Sequence, residues 1–307
     1  MPMLECVVNV SEGRRSEILD TLSYEIQQPT GVYLLHEDRG WDANRTVFTL
    51  AGSPEGLLAA LTRLAQGCLE HIDMRHQSGI HPRIGALDVC PIVPMRPEDK
   101  VAAHALVALL AQAFSALGIG GWFYAQSAHQ PDFDLLARVR NGEYEGVADR
   151  ASTFDFGVYN PRFGAMALGV RPFLLAYNIN VTGLSLGQVK DIAKDARESG
   201  SRGMKGLRAI GWETPEFNCL QVSCNLVDLD VLRPKALFER ISTDVAQLGG
   251  ETMGSELIGL APAFAFSDYT SMEEACAHLG LDALAPFDPS TRILEQILAS
   301  KRLLSKN

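Results

Sequence analysis

The sequence predicts an α+β protein made of two successive β-α-β-β-α-β units, and three observations support this prediction. The chain has 307 residues, enough for two domains of ordinary size. Hydrophobic residues make up 47% of it and charged residues 21%, a balance that allows a packed core and excludes disorder or low complexity. Short apolar runs and helical periodicities also follow one another in the same order in both halves.

The first unit is predicted from its apolar periods and its helix-start signals. Ser53 followed by Pro54 is typical of a helix N-cap with proline in the first turn. The predicted elements are a strand at Glu5–Val10, a helix at Ser16–Gln27, strands at Val32–Asp38 and Thr46–Gly52, a helix after Ser53 and a strand at Ile84–Val93.

The connection between the units contains a segment from Lys100 to Asp132 without a charged side chain. Its strongly apolar part is shorter than the ~20 residues of a membrane span, so we expect a buried helix. The predicted elements here are a helix at Glu98–Leu117, a strand at Trp122–Ser127 and a helix at Asp132–Asn141.

The second unit repeats the order of the first. Its predicted elements are a strand at Phe173–Val181, a helix at Leu186–Ser199, strands at Leu207–Thr214 and Leu220–Asp228 that pair around Pro215, a helix at Pro234–Leu248 and a strand at Glu251–Leu260. This order is that of the ferredoxin-like split unit. Because each sheet needs cover on one face, we expect the two sheets to face each other across a cleft.

Composition narrows the classes of function. The net charge of −10 and the pI near 5.2 argue against nucleic-acid binding, which needs Lys and Arg against phosphates. Six scattered cysteines without a CxxC motif predict reduced thiols, and no secretory pattern opens the chain, so a cytoplasmic location without a membrane is expected. His71, His76 and His81 recur every five residues, which does not fit helical metal ligands, and no metal is predicted.

Two polar clusters are the candidates for chemistry. In the segment Asp73–Pro91, His81 precedes Pro82, which keeps the imidazole on a constrained loop, and Arg83 follows as a fixed cation. At a strand end, Asp38, Asn44 and Arg45 are placed to orient a base and to bind an anion. A single histidine is as often structural as catalytic here, so both interpretations of His81 stay open from these residues alone.

Blocks along almost the whole chain resemble the glutamate formimidoyltransferase family, which includes the transferase part of formimidoyltransferase-cyclodeaminase. They are ECVVNVSEGR, DRGWDANRTVFTLAG, IDMRHQSGIHPRIGALDVCPIVP, RNGEYEG, FGVYNPRFGAMALGVRPFLLAYNINV, SCNLVD, GSELIGL and LGLDALAPFDPSTRILE. The resemblance implies two formiminotransferase subdomains, N-terminal at residues 1–172 and C-terminal at residues 173–307, with folate in a tunnel between them. It also implies a homodimer, and the cyclodeaminase activity is expected to be absent.

The resemblance further implies transfer of a formimidoyl group from N-formimidoyl-L-glutamate to N5 of tetrahydrofolate, the co-substrate. His81 falls on the family's catalytic histidine and Asp38 on its supporting aspartate, which is expected to raise the imidazole pKa. The remaining implied sites are substrate-binding Asn9, Asn44, Arg45 and Arg83 and a folate-binding loop of Gly157, Val158, Tyr159, Asn160, Pro161, Arg162, Phe163 and Gly164. In that loop, Tyr159 or Phe163 is expected to stack on the pterin, and Arg162 to meet a carboxylate.

Departures from the family pattern lie near this site. Ile80 stands where the family usually has glutamate, and the folate loop is two residues shorter. Two alternatives therefore accompany the main prediction. One is a diverged one-carbon enzyme acting on another N5-substituted folate such as 5-formyltetrahydrofolate, and the other is a non-catalytic folate-binding subunit.

Overall fold

The computed structural model describes residues 2–214, 218–301 and 303. The chain divides into two compact units, Met1–Arg171 and Pro172–Asn307. Both are of the α+β class, and each has a sheet of its own.

The first unit contains a six-stranded mixed sheet of strand order β2-β3-β1-β4-β6-β5. Neighbours from β2 to β4 are antiparallel, whereas β6 runs parallel to both β4 and β5. Its elements are β1 (Leu4–Val10), α1 (Ser16–Ile26), β2 (Val32–Gly40), β3 (Arg45–Gly52), α2 (Pro54–His71), β4 (Leu87–Pro94), α3 (Lys100–Ala116), β5 (Gly121–Phe123), α4 (Leu136–Val139), α5 (Val147–Arg150) and β6 (Met166–Val170).

The main core of this unit lies between one face of the sheet and helices α1 to α3. Strand residues such as Leu4 and Phe48 pack there with Leu22, Leu61 and Leu110 from the helices, and all are buried. The predicted helix is confirmed as α3, but only one of its faces is buried in this core. Its opposite face is exposed, including the apolar side chains of Val101 and Leu109. Among the described residues, no helix combines the length and the apolar character needed to cross a bilayer.

The connecting region differs from its prediction in three places. The strand expected at Trp122–Ser127 covers only β5, because Ala125 turns the backbone into the left-handed region at φ 54°. The helix expected at Asp132–Asn141 is only the single turn α4. The sequence analysis also missed β6, whose MALGV run is buried on both faces and lacks the alternation that marks a half-exposed strand.

The second unit contains a four-stranded sheet of strand order β10-β7-β9-β8, in which all neighbours are antiparallel. Its elements are β7 (Leu175–Thr182), α6 (Leu186–Ala196), β8 (Leu207–Thr214), β9 (Cys219–Leu226), α7 (Pro234–Gln247), β10 (Glu251–Ile258), α8 (Met272–Leu279), α9 (Pro289–Arg292) and α10 (Leu294–Ser300). The predicted pairing of β8 with β9 is confirmed, and Pro215 lies outside the described residues.

Helices α6 and α7 supply the core of the second unit. Val189 and Ile241 from these helices pack with Tyr177, Ile179 and Val222 of the sheet. The strand residues alternate, so the opposite face of the sheet presents the side chains that lie between these core positions, many of them polar.

Candidate active site

His81 lies on the loop between α2 and β4, and both of its ring nitrogens are engaged. Arg45 Nη1 lies 2.6 Å from His81 Nε2, and His81 Nδ1 lies 2.8 Å from the Pro82 carbonyl oxygen. An arginine is always a donor and a carbonyl is always an acceptor. This geometry therefore fixes a neutral imidazole that carries its proton on Nδ1 and accepts a hydrogen bond at Nε2.

The pKa of His81 is lowered well below its usual value. Burial is the main cause, the positive charges of Arg45 and Arg140 add to it, and the bond to the Pro82 carbonyl opposes it. The sequence analysis expected the opposite direction, from a nearby carboxylate. Burial and the two cations outweigh that effect, so His81 is neutral at neutral pH, and its Nε2 lone pair is engaged by Arg45 in this state.

Arg45 opens β3 and faces His81. Burial and the nearby Arg140 lower its pKa to about 10, while the charges of Asp88 and Asp38 act in the opposite direction. Arg45 therefore stays cationic at neutral pH. A guanidinium in this position suits a carboxylate of a ligand.

Asp88 and Arg140 form a charged cluster together with His81 and Arg45. The sequence analysis missed both Asp88 and Arg140. Asp88 is fully buried in β4, where its Oδ1 accepts a hydrogen bond of 2.8 Å from the backbone N–H of Ile84. Its Oδ2 accepts two hydrogen bonds from the Arg140 guanidinium, one of them 3.1 Å long. Asp88 could have been found from the sequence, because it is a charged residue inside the apolar run IGALDVCPIV. A buried carboxylate needs a partner, so its position also indicates a nearby cation.

Asp38 and Asn9 share one row across the sheet. Asp38 in β2 pairs with Val47 in β3, and Val47 pairs in turn with Asn9 in β1. Asp38 Oδ2 lies 3.9 Å from His36 Nε2, and Asn9 Nδ2 donates to the Val7 carbonyl at 3.2 Å. The row lies on the sheet face opposite the main core, and the charge of Asp38 acts to raise the pKa of Arg45.

Asn44 acts as a clamp between three segments. Its Oδ1 accepts from the backbone N–H of Gly13 at 3.0 Å, its Nδ2 donates to the Ser78 carbonyl at 2.8 Å, and its own carbonyl accepts from Gln77 at 3.1 Å. The residue adopts φ 46°, a left-handed conformation that asparagine tolerates. Asn44 was expected to bind substrate. In the structure its side-chain amide is bonded to Gly13 and Ser78, and the bond to Ser78 holds the His81 loop against the start of β3.

Arg83, also expected to bind substrate, is committed to carboxylates of the protein. It forms two hydrogen bonds with Glu145, at 2.8 and 2.9 Å, and one of 3.1 Å with Glu143. A further bond of 2.9 Å reaches Gln77, and the hydrogen bonds and charge of Glu145 raise the pKa of Arg83. Arg83 thus ties the His81 loop to the turn at residues 143–145.

The loop at residues 157–164 is joined to the segment that follows His81. The backbone N–H of Ala86 donates to the Phe163 carbonyl at 2.8 Å, and that of Ala165 donates to the Ile84 carbonyl at 2.9 Å. Gly85 permits this approach, because a Cβ atom there would lie 2.0 Å from the Ala165 carbonyl oxygen. The two loops therefore form one bonded assembly.

Side chains within this loop divide into outward and inward sets. Val158 is 61% exposed, Gly157 and Pro161 are exposed, and Tyr159 and Asn160 are partly buried. Phe163 is fully buried in the main core, and Gly164 beside it is also buried. The expectation that Phe163 stacks on a pterin is therefore corrected, because its ring is a core residue. Tyr159, the other ring of the loop, is half-buried and packs against a second core cluster of the unit.

Arg162 closes the C-terminal end of α2. Its guanidinium donates to the carbonyls of Leu69 and Glu70 at 2.9 and 2.6 Å, and to Asp73 Oδ2 at 3.3 Å. Cations are favourable at this end of a helix, where carbonyls lack partners. Arg162 was expected to meet a carboxylate of the ligand, whereas the carboxylate it contacts in the structure is that of Asp73.

Both units of the chain match models of known protein families. Residues 3–171 match the N-terminal subdomain of the formiminotransferase domain, and residues 176–271 match the formiminotransferase domain. The chain belongs to the formiminotransferase family. All the site residues described above lie in the part that matches the formiminotransferase N-terminal subdomain.

Individual relatives in the formiminotransferase family support the assignment. The chain is 36% identical over 328 residues to formimidoyltransferase-cyclodeaminase of Rattus norvegicus, covering 96% of this chain and 60% of that protein. It is 34% identical over 273 residues to glutamate formimidoyltransferase of Streptococcus pyogenes serotype M1, covering 87% of this chain and 91% of the relative. The corresponding enzyme of Thermoplasma acidophilum is 29% identical over 276 residues. The chain thus spans about three fifths of the length of the cyclodeaminase-containing relative and most of the shorter ones.

Proposed function

We propose that this protein transfers the formimidoyl group from N-formimidoyl-L-glutamate to N5 of tetrahydrofolate, releasing glutamate. Membership of the formiminotransferase family supports the reaction class, and two relatives are named glutamate formimidoyltransferase. The observation that carries the proposal is the neutral His81, which accepts at Nε2 and is backed by the cluster of Arg45, Arg140 and Asp88.

The reaction requires one proton to move between two nitrogens. N5 of tetrahydrofolate forms a bond to the amidine carbon, and its proton passes to His81 Nε2. The resulting imidazolium then gives that proton to the glutamate nitrogen as the bond between this nitrogen and the carbon breaks. His81 is unprotonated at neutral pH, as the first step requires, and its lowered pKa makes it a weaker base than a free imidazole.

Binding of the substrate is expected to activate His81 as a base, because it would displace Arg45 from the imidazole. Its guanidinium occupies the Nε2 lone pair at 2.6 Å, so Nε2 accepts a proton only after Arg45 moves aside. Formimidoylglutamate carries two carboxylates, and either is a stronger acceptor for a guanidinium than a neutral imidazole. Binding of the donor would therefore draw Arg45 from His81 and also supply negative charge that favours the imidazolium.

Folate contacts are proposed for the outward part of the loop at residues 157–164. Tyr159 supplies the stacking ring, and Gly157 and Val158 line the exposed stretch beside it. Arg162, Phe163 and the clamp residue Asn44 support the site from within the fold. Asn9 remains a proposed substrate contact and Asp38 the proposed supporting aspartate, and both lie in one row on the sheet face opposite the main core.

We also interpret each βαββαβ unit as ferredoxin-like. In both sheets the four strands of the unit run in the order fourth, first, third, second, with antiparallel neighbours, which supports this interpretation. The boundaries at residues 1–172 and 173–307, the facing sheets, the homodimer and the cytoplasmic location stay predictions.

The test replaces His81 by alanine and uses His76→Ala as its control. His76 lies on the same loop but is exposed, so this control removes an imidazole without touching the cluster. We expect His81→Ala to lower kcat about 10²–10⁴-fold with little change in folate affinity, as loss of general acid–base catalysis does. Formation of 5-formimidoyltetrahydrofolate is followed by absorbance, and full turnover by His81→Ala would refute the assignment.

A further inference from the structure

Arg140 has one guanidinium nitrogen that bonds to nothing in the described part of the chain. Its Nε and Nη2 atoms donate to Asp88 Oδ2, whereas Nη1 makes no hydrogen bond with any described residue. The side chain is 14% exposed, and Nη1 is not enclosed by protein atoms. Because Nη1 carries two N–H donors, it offers a hydrogen-bonding group to an acceptor from outside the protein.

Asp88 holds this guanidinium beside His81. The Asp88 carboxylate is fully buried, and its second oxygen accepts a hydrogen bond of 2.8 Å from the backbone N–H of Ile84, on the segment that follows His81. Burial is the main cause of the lowered pKa of His81 and of Arg45, and the nearby charge of Arg140 adds to both shifts. Arg140 is therefore a cation that is held in place next to the other two groups.

Other arginines of the site already use their donors. Arg83 donates from Nε, Nη1 and Nη2 to side chains of the protein, and Arg162 uses the same three atoms at the end of α2. Arg45 donates to His81, and in the proposed function a carboxylate of the donor substrate breaks this bond. Formimidoylglutamate has a second carboxylate, and Arg140 has the donor to meet it.

We propose that Arg140 binds the second carboxylate of formimidoylglutamate, so that Arg45 and Arg140 together select a donor with two carboxylates. This inference deepens the proposed function and rests on it for the identity of the donor. Both carboxylates of formimidoylglutamate lie only a few bonds from the nitrogen that leaves. A donor that reacts at His81 therefore brings both carboxylates close to the cations around His81.

Tetrahydrofolate is the other source of carboxylates, but its covalent structure separates them from Arg140. Its glutamate tail is attached through the p-aminobenzoyl group, which is a long way from N5. With N5 at His81, this group places the tail carboxylates well away from a cation beside His81. A carboxylate at Arg140 should therefore come from the donor, and the KM values of the two substrates distinguish the two sources.

The test uses Arg140→Lys and, as its matched control, Arg138→Lys. Lysine keeps the charge that pairs with Asp88, but it lacks the forked group that bonds to Asp88 and to a ligand at once. We expect Arg140→Lys to raise the KM for formimidoylglutamate about 10- to 100-fold, the loss typical of a hydrogen bond between charged groups, and to leave the KM for tetrahydrofolate unchanged. Arg138 lies on α4 and is exposed, so Arg138→Lys should behave like the wild type.

Donors that lack one carboxylate separate ligand binding from structural support. Formimidoyl-γ-aminobutyrate lacks the α-carboxylate, and formimidoyl-2-aminobutyrate lacks the γ-carboxylate. The wild type should have a higher KM for both than for formimidoylglutamate. For one of them Arg140→Lys should have the same KM as the wild type, because the carboxylate that Arg140 binds is already missing.

The outcomes separate this inference from the proposed function. A wild-type KM of Arg140→Lys for formimidoylglutamate would overturn the inference, and so would a rise by the same factor for all three donors, which would indicate a structural role alone. A raised KM for tetrahydrofolate alone would assign Arg140 to a folate carboxylate and also overturn it. Equal KM values of the wild type for the three donors would overturn it without any variant.

Two further results complete the test. If Arg140→Lys does not fold, the double variant Asp88→Asn with Arg140→Gln removes both charges of the buried pair together, and the same KM changes are expected. A wild-type protein that transfers no formimidoyl group to tetrahydrofolate would refute the proposed function and this inference with it.

Discussion

Replacing Arg45 by methionine should raise the pKa of His81. Two unit charges about 4 Å apart interact by about 4 kcal/mol at an effective dielectric constant of ~20. That energy corresponds to at most about 3 pKa units, and solvent at the partly open site reduces it, so we expect a rise of about 1–2 units. The separation of about 4 Å between the two charges follows from the hydrogen bond of 2.6 Å between Arg45 Nη1 and His81 Nε2.

The pKa is measured by NMR titration of the imidazole C–H protons, and the His81 signal is identified by its absence in His81→Ala. Arg75→Met is the matched control, because Arg75 lies on the same loop, pairs with Asp73 and is not among the groups that shift His81. A wild-type His81 that titrates at or above pH 6.5 would refute the reasoning. So would an Arg45→Met protein whose His81 titrates as in the wild type.

The lowered pKa of His81 also makes the stability of the folded protein depend on pH. The unfolded chain takes up a proton at His81 near pH 6.5, while the folded protein does so only at lower pH. His81 therefore lowers the free energy of unfolding as pH falls from about 6.5 towards its folded pKa, and it makes no such contribution above pH 6.5. Urea denaturation at several pH values should show a smaller decrease for Arg45→Met than for the wild type.

Three further substitutions test the support of the site. Arg162→Ala should lower the free energy of unfolding by about 1–3 kcal/mol in urea denaturation, because it leaves acceptors at the end of α2 without a donor; an unchanged midpoint would contradict the capping role. Phe163→Ala should cost about 3–5 kcal/mol in the same assay, as deletion of a core ring does, and the milder Phe163→Leu should keep folate affinity in calorimetry. Ile80→Glu adds a carboxylate at an exposed position next to His81 in the sequence and should improve formimidoylglutamate binding by about 1–2 kcal/mol in steady-state kinetics; no effect on this donor or on 5-formyltetrahydrofolate would show that position 80 faces away from the chemistry.

The elements of the fold were largely predictable because their signals are local. Apolar periods located the helices and strands of both units, and Ser53 caps α2 as expected. β6 escaped prediction because it is buried on both faces and its residues are small. The end of β5 depends on the left-handed backbone at Ala125, which residue preference does not indicate.

The site was predictable in its members more than in their roles. The sequence analysis placed His81 and Arg45 among the functional groups, and the structure joins them by a hydrogen bond. It also expected Arg83 and Arg162 to bind ligands, but both pair with groups of the protein that lie more than 50 positions away in the chain. A sequence shows the charge of a side chain, whereas its partner depends on tertiary contacts that local patterns do not contain.

The Asn44 clamp has a consequence for the order in which the protein folds. It joins residues that lie more than 30 positions apart, so the His81 loop reaches its final geometry only after β1, β2 and β3 have come together. Exchange of the Gly13 amide hydrogen with solvent would report this event, since that hydrogen is protected by Asn44 itself. A protein with an intact sheet but fast exchange at Gly13 would be folded yet not ready for catalysis.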